Sequence, residues 1–376
     1  MIGVDVVLTP YDLEHFNWFL PLSYKFGLHI HHNLRNCYTP IVEKFNTPEK
    51  KQFLGSKEQC RYCKAYNKNV DSIKKKITNG ELELKETDSF KQIAHSLPTF
   101  IGNTSIISKD ECDTCNKKFS RLETSLVSFL GTARTTSKMK GRNGIPKSKN
   151  NKGEFIDISS KGDLIVGTYQ DTDMYKEENN IITITTKKKY VPIDVHKCFV
   201  KMALSVIPLE KLQYFTKTID WILGKIEIDD VYSDHLYVWQ TKWPVRNMFP
   251  SVFIDVYQRR FDRIDIPFMF SRICFRNYAF QFVIPYSPMD FLIKEYNIPP
   301  IIGHEYEYQE LLTDRVLWHK ILNDVNLTKI NLSNHSEVEE EDKQYYMTAE
   351  QSSPATSEDL PKEIIEYLER NKIDFR

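Results

Sequence analysis

The 376-residue sequence has no net charge, with 51 lysines and arginines against 51 aspartates and glutamates. That balance excludes a uniformly basic, histone-like surface and leaves room only for a local basic patch. No apolar run approaches the roughly 20 residues that cross a bilayer. The stretch from Met1 to Pro21 is apolar in patches but carries Asp5, Asp12 and Glu14 and no lysine or arginine, so it does not read as a secretory signal. Cysteines are few and odd in number, seven in all, which makes a poor disulfide framework. No internal repeat is visible. These absences point to a chain kept in a reducing compartment, and the expectation is a cytoplasmic protein that makes no use of a membrane.

There is ample material for a core, since 41% of residues are hydrophobic and 12% aromatic. The length suggests two domains and a tail. Residues 1–53 are aromatic-rich and hold His15, His29, His31 and His32, read here as a packed segment rather than a metal site. Residues 54–133 contain both close cysteine pairs. Residues 134–153 are basic and glycine-bearing, the composition of a mobile linker. Residues 154–330 read as a separate α+β domain. Strands are expected at Ile181 to Thr186, Ser251 to Tyr257 and Phe268 to Ile284, and helix over Val195 to Leu223 with a break at Pro208. Residues 331–376 read as an acidic, disordered linker followed by a short helix from Pro361 to Leu368.

The cysteine spacing carries the chemistry. Cys60-x-x-Cys63 and Cys112-x-x-Cys115 each bring two thiolates within reach of one ion, and four sulfurs close a tetrahedral structural zinc site. Between the pairs, Phe90 to His95 predicts a strand, Ser96 to Ser105 a loop and Ile106 to Ser108 a second strand. A helix follows from about Asp113, with Phe119, Leu122, Leu126 and Phe129 on one face. His95 ends the first strand, and Asn116 stands in the first turn of the helix, whose N-terminus favours anions. Hydrolysis of a phosphodiester needs a base to activate water and positive charge for the developing oxyanion.

Ala94-His95, Pro98, Gly102-Asn103 and Cys112-Asp113-Thr114-Cys115-Asn116, together with Cys60-x-x-Cys63, resemble the four-cysteine branch of the HNH, or ββα-metal, endonucleases. The likeness covers about a fifth of the chain. It implies a zinc-stapled ββα module that cuts nucleic acid, DNA foremost, as a bacterial or phage defence enzyme would. In this resemblance His95 is the general base and Asn116 a ligand of a catalytic Mg²⁺ or Mn²⁺. The family places Asp or Glu immediately before the base, and this chain has Ala94. Glu111 and Asp113 are the candidate replacements. Glu123 lies two turns, about 10.5 Å, beyond Asn116 and is too far to share its ion. Asp110 and Asn103 compete for the family's loop-fixing position.

Seven cations follow the helix without an acid among them: Arg134, Lys138, Lys140, Arg142, Lys147, Lys149 and Lys152. After a nuclease-like helix such a run is expected to track phosphates, with Arg134, Lys138, Lys140, Arg142 and Lys147 foremost. Arg259, Arg260, Arg263, Arg272 and Arg276 read instead as the polar face of an ordinary sheet. The acid run from Glu337 to Asp342 has the charge to fold back onto a basic surface as a phosphate mimic. The C-terminal domain is expected to serve targeting, dimerisation or a protein partner. Two rivals to the nuclease reading are a zinc-stapled nucleic-acid-binding protein without chemistry, and an interaction scaffold.

Overall fold

The structure, a computed structural model, describes residues 37–347 except 160–163, 169–171, 173, 179–180, 228–234, 244–247, 261–263, 265, 294–297 and 299–325. The histidines of the N-terminal segment and the helix expected at Pro361 to Leu368 lie outside the described residues. In chain order, β1 (Tyr38–Phe45) precedes a small cysteine-bearing unit. That unit holds β2 (Gln52–Leu54), β3 (Tyr66–Asn67), α1 (Asp71–Thr78), β4 (Thr87–Asp88), β5 (Ala94–His95), β6 (Ile106–Ser108) and α2 (Asp113–Leu130). Next come the short α3 (Ala133–Thr136) and the strands β7 (Ser148–Lys149), β8 (Phe155–Ile158) and β9 (Leu164–Gly167). They are followed by β10 (Tyr175–Glu178), β11 (Ile181–Tyr190), α4 (Pro192–Val206) and α5 (Thr216–Ile222). The last strands are β12 (Tyr237–Lys242), β13 (Phe249–Arg259), β14 (Met269–Arg276), β15 (Tyr278–Val283), β16 (Asn326–Asn331) and β17 (Val338–Met347). The fold is α+β.

Six antiparallel strands form the large sheet, in the order β1-β13-β14-β15-β12-β16. Strand β15 is buried along its whole length, as a strand covered on both faces must be. Helix α4 lies against this sheet, with Phe199 stacked on Phe280 at 5.1 Å and on Phe282 at 5.3 Å. Its other side packs on α2. A helix apolar all round is a core helix, and nearly every residue of α4 is buried. One continuous hydrophobic core therefore takes in Phe119, Leu122 and Leu126 of α2 together with Phe199, Phe280 and Phe282.

Several expectations are met. Helix breaks near Pro208, where α4 has ended and a 3₁₀ stretch, Leu209–Phe215, leads into α5. The strand expected at Ile181 to Thr186 runs on to Tyr190. Arg259 and Arg272 are buried and pair with Asp290 and Asp255, so these two are core ion pairs of the sheet and not a polar outer face.

Two linkers predicted from composition are structured. Residues 134–153 contain α3, which continues from Ala133, and β7, because Thr135 and Met139 bury their side chains and Thr135 donates to the Pro146 carbonyl at 2.7 Å. The acid run after residue 331 is not a disordered linker: it forms β17, antiparallel to β11. Lys187, Lys188 and Lys189 stand opposite Glu341, Glu340 and Glu339. Opposite charges facing across a ladder stabilise it, and the composition of one strand alone cannot reveal that partner. Asp342 also accepts from the backbone and hydroxyl of Thr132 just past the end of α2, while Lys188 donates to the Phe129 carbonyl at 3.3 Å. The β11–β17 ribbon thus fastens onto that end of α2.

Ending the chain after residue 333 should therefore lower stability by roughly 3 kcal/mol or more, through loss of a ten-residue ladder and its contacts to α2. Thermal unfolding checks this, and an unchanged midpoint would show that β17 is a passive appendage.

Candidate functional site

The two cysteine knuckles meet. All four sulfurs lie within 4.8 Å of one another. Cys60 and Cys115 are 3.8 Å apart, and Cys63 and Cys112 are 3.5 Å apart. A zinc–sulfur bond of about 2.3 Å requires sulfur–sulfur edges of about 3.8 Å in a tetrahedron. The donor set therefore fits a structural zinc, as the spacing predicted. Local backbone builds each knuckle. Lys64, in the left-handed region at φ 66°, turns the first pair, and its N–H bonds the Cys60 carbonyl at 3.1 Å. Cys112 caps α2, its sulfur accepting from the Cys115 N–H at 3.5 Å. Hydrogen bonds from the neighbouring sulfurs, that of Cys112 first, lower the Cys60 thiol to about 7 and hold Cys63 well below its usual value. A cation would complete this arrangement by displacing the remaining protons. Cys37, Cys198 and Cys274 are buried elsewhere.

The strand–loop–strand–helix order is present. Ala94 pairs with Ser108 and His95 with Ile107, so β5 is shorter than the strand expected from Phe90. Asn103 is buried and fixes the loop. Its amide donates to the Leu97 and Ile106 carbonyls at 2.7 and 2.9 Å, and its oxygen accepts from the N–H groups of Ser105 and Ile106. Asp110 is engaged differently, pairing with Arg61 at 2.9 Å and accepting from Ser108. Gly55 sits against that carboxylate, and any Cβ there would collide with it.

No protein-family model, curated protein or solved structure matches this chain.

His95 is half-buried at the end of β5. Burial is the main cause that holds its imidazole below the ordinary histidine value, and the positive charges of Lys201, Arg142 and Lys51 add to it. Both effects favour the neutral imidazole, the form able to accept a proton. Lys201 reaches it from α4, donating to the His95 carbonyl at 3.0 Å and pairing with Glu111 at 3.1 Å. Ser205, one turn on, donates to the Ser96 carbonyl at 3.1 Å. Sequence reasoning misses Lys201. A single lysine in the apolar run Cys198 to Leu204 is its signal, since a buried ammonium must have a partner.

The candidates for a second metal ligand are occupied. Glu111 is buried against Lys201. Burial pushes the Asp113 carboxyl up, but hydrogen bonds from Ser89 and from the Gln92 and Lys91 N–H groups together outweigh it and hold the carboxyl low. Asn116 is half-buried and donates to Gln92 at 3.0 Å, which leaves its oxygen for a ligand. Among the described residues, the four cysteines are the only group of three or more His, Cys, Asp or Glu side chains that converges. The donor set for a Mg²⁺ or Mn²⁺ beside His95 is therefore incomplete there. Ala94 is 1% exposed, so a carboxylate at this position would be buried rather than offered to an ion.

The basic residues divide. Arg134 is half-buried with its guanidinium over Phe100 at 5.2 Å. Lys147 lies over Phe155 at 3.4 Å and pairs with Asp157 at 3.2 Å. Both line one large groove with Lys149 and Lys152. Lys138, Lys140 and Arg142 do not line it; Lys140 and Arg142 are exposed, and Arg142 is close enough for its charge to act on His95.

Two substitutions probe this construction. Cys112→Ser should lose the metal and unfold the 54–133 unit, since zinc binding at such sites supplies roughly 10–16 kcal/mol; protein purified without chelator and found free of zinc would end the assignment. Ala94→Asp should destabilise by about 3 kcal/mol, a buried carboxylate without a partner. An undiminished denaturant midpoint would show that position 94 opens to solvent.

Proposed function

We propose that this chain binds nucleic acid and hydrolyses its phosphodiester bonds, with His95 as the general base on a zinc-stapled ββα scaffold. The observation that carries this reading is the half-buried imidazole of His95 at the end of β5, held below its ordinary value first by burial and then by the charges of Lys201, Arg142 and Lys51. A phosphodiester is drawn to such charges, and the imidazole takes the proton of an attacking water. General base catalysis of this kind contributes roughly 10²–10⁴ in rate. Zinc at the cysteines supplies folding energy and no chemistry, because all four positions are filled by protein. Asn116 would hold a divalent ion, which supplies charge to the leaving and attacking oxygens when bound. Mg²⁺ keeps several waters and often borrows phosphate oxygens from its substrate, so a sparse protein donor set does not exclude it.

A second reading has its own observation. With Ala94 buried and Glu111 and Asp113 engaged, the scaffold lacks the carboxylate that its likeness to the HNH enzymes calls for. A binding protein that has shed the chemistry would look the same. A plasmid-nicking assay with Mg²⁺ or Mn²⁺, run beside a binding assay, separates the two.

If the protein cuts, His95→Ala should reduce the rate 10²–10⁴-fold, about 3–5.5 kcal/mol, with zinc content and affinity unchanged. Asn116→Ala should be partly rescued by more metal, and His95→Ala should not. The pH profile follows from the sign of the shift. A base acts when deprotonated, and His95 lies below its ordinary value of 6.5, so the acid limb should fall below pH 6.5. Cutting that survives His95→Ala undiminished removes the reading.

A further inference from the structure

The geometry points to a duplex-binding phosphate track in the groove between the β10–β11–β17 ribbon, the β7–β8 hairpin and the C-terminal end of α2. This inference rests on the reading of nucleic acid as the partner, and it deepens that reading by naming the surface and the strandedness.

The groove has a volume of about 1430 Å³. Nine lysine and arginine side chains line it against four glutamates, an excess of five positive charges in a chain whose total is zero. The excess is local, so the field is too. Not all nine cations are equal. Lys188 is held by Phe129 and Glu340, and Lys187 and Lys189 share Glu339 at 3.0 Å each. Lys149, Lys152 and Lys176 are exposed and form no ion pair among the described residues. These three are the cations offered outward.

The remaining lining argues for phosphate rather than bases. Thr183 and Thr185 bring hydroxyl groups, which commonly bond phosphate oxygens. Among the described residues no Phe, Tyr or Trp lines the groove. Single strands are gripped mainly by stacking on aromatic rings, and a duplex keeps its bases stacked inside and shows its phosphates. A lysine- and threonine-lined groove without a ring suits the second.

Placement strengthens the assignment. Val127 and Ser128 of α2 border the groove, and Asn116 stands in the first turn of the same helix. Eleven residues are close to three turns, so Asn116 and Val127 share a helix face at a separation of roughly 17 Å. That is about five base pairs at 3.4 Å each. A duplex seated in the groove would reach the Asn116 end of α2 within half a turn.

The test uses the full chain, without added Mg²⁺ or Mn²⁺ so that cutting does not intervene. Fluorescence anisotropy measures affinity for a labelled duplex DNA and for one of its strands across a salt series. The triple variant Lys149→Ala, Lys152→Ala, Lys176→Ala is compared with Lys74→Ala, Lys75→Ala, Lys76→Ala on the exposed face of α1, which removes the same charge elsewhere. The groove variant should bind duplex at least tenfold more weakly and flatten the log–log salt slope by about 2–3, at 0.9 per contact. The α1 variant should change little. Lysine-to-arginine changes at the three groove positions should keep the affinity and confirm that the fold is intact. An equal loss in both alanine variants, an unchanged slope in the groove variant, or tighter binding of the single strand than of the duplex would each overturn the proposal. The nicking assay separates this from the nuclease reading. Groove-dependent binding without cutting retains the track and removes the chemistry, whereas cutting and affinity indifferent to the groove lysines do the reverse.

Discussion

A buried ammonium organises this molecule. Lys201 lies inside the protein on α4, and burial alone would strip its charge; Glu111 and Glu123 hold that charge in place. The pair joins the two parts of the chain that sequence divides, since Glu111 directly precedes the second cysteine knuckle and Lys201 belongs to the helix under the large sheet. Removing one member of such a pair strands the other and typically costs about 3–5 kcal/mol. Neighbouring contacts repeat the bond. Arg61, beside Cys60, donates to the Leu204 carbonyl at 2.6 Å near the end of α4, and the Tyr62 hydroxyl donates to the Lys201 carbonyl at 3.3 Å. The Arg61 bond satisfies a carbonyl that a helix end would otherwise leave unpaired. The knuckle, the His95 strand and α4 are thus one packed assembly.

That coupling explains what was legible in the sequence. The cysteine spacing and the helical face of Phe119, Leu122, Leu126 and Phe129 are local signals, and both are present as expected. Strands β11 and β13 show themselves through side chains suited to a half-buried pleat. The fixing of the loop by Asn103 was visible only as one of two choices, because it depends on which backbone groups the loop exposes. Strand β17 was hidden: its glutamates acquire meaning from lysines some 150 positions earlier in the chain, as the Lys187–Glu339 pair shows. Lys201 was hidden for the same reason. Composition reports what a segment would do alone, and these segments act in pairs.

The candidate active site separates scaffold from ligands. The strand–loop–strand–helix arrangement presents His95 without needing a catalytic ion, since the four-cysteine cluster, Asn103 and the Lys201–Glu111 pair hold the frame. A hard divalent ion makes a different demand, carboxylates free to turn outward. Here Glu111 and Asp113 support the frame itself. The more firmly these groups bind the structure, the more an ion depends on water, Asn116 and its own substrate.

Charge segregation gives the zero net charge its sense. The acidic strand β17 lies beside the basic strand β11, and Lys187, Lys188 and Lys189 spend part of their field on Glu339 and Glu340. Surface pairs of this kind contribute little to stability one by one. Their larger effect is on the potential outside: three adjacent lysines without partners would bind any polyanion, and paired ones do so weakly. The cations without an ion pair among the described residues, Lys149, Lys152 and Lys176, stand on β7, on the turn after it and on β10, and line the same groove. Neutralising the β11 lysines while leaving Lys149, Lys152 and Lys176 charged confines attraction to one channel. A chain with equal numbers of acids and bases can in this way be indifferent to polyanions over most of its surface and still hold one along a single track.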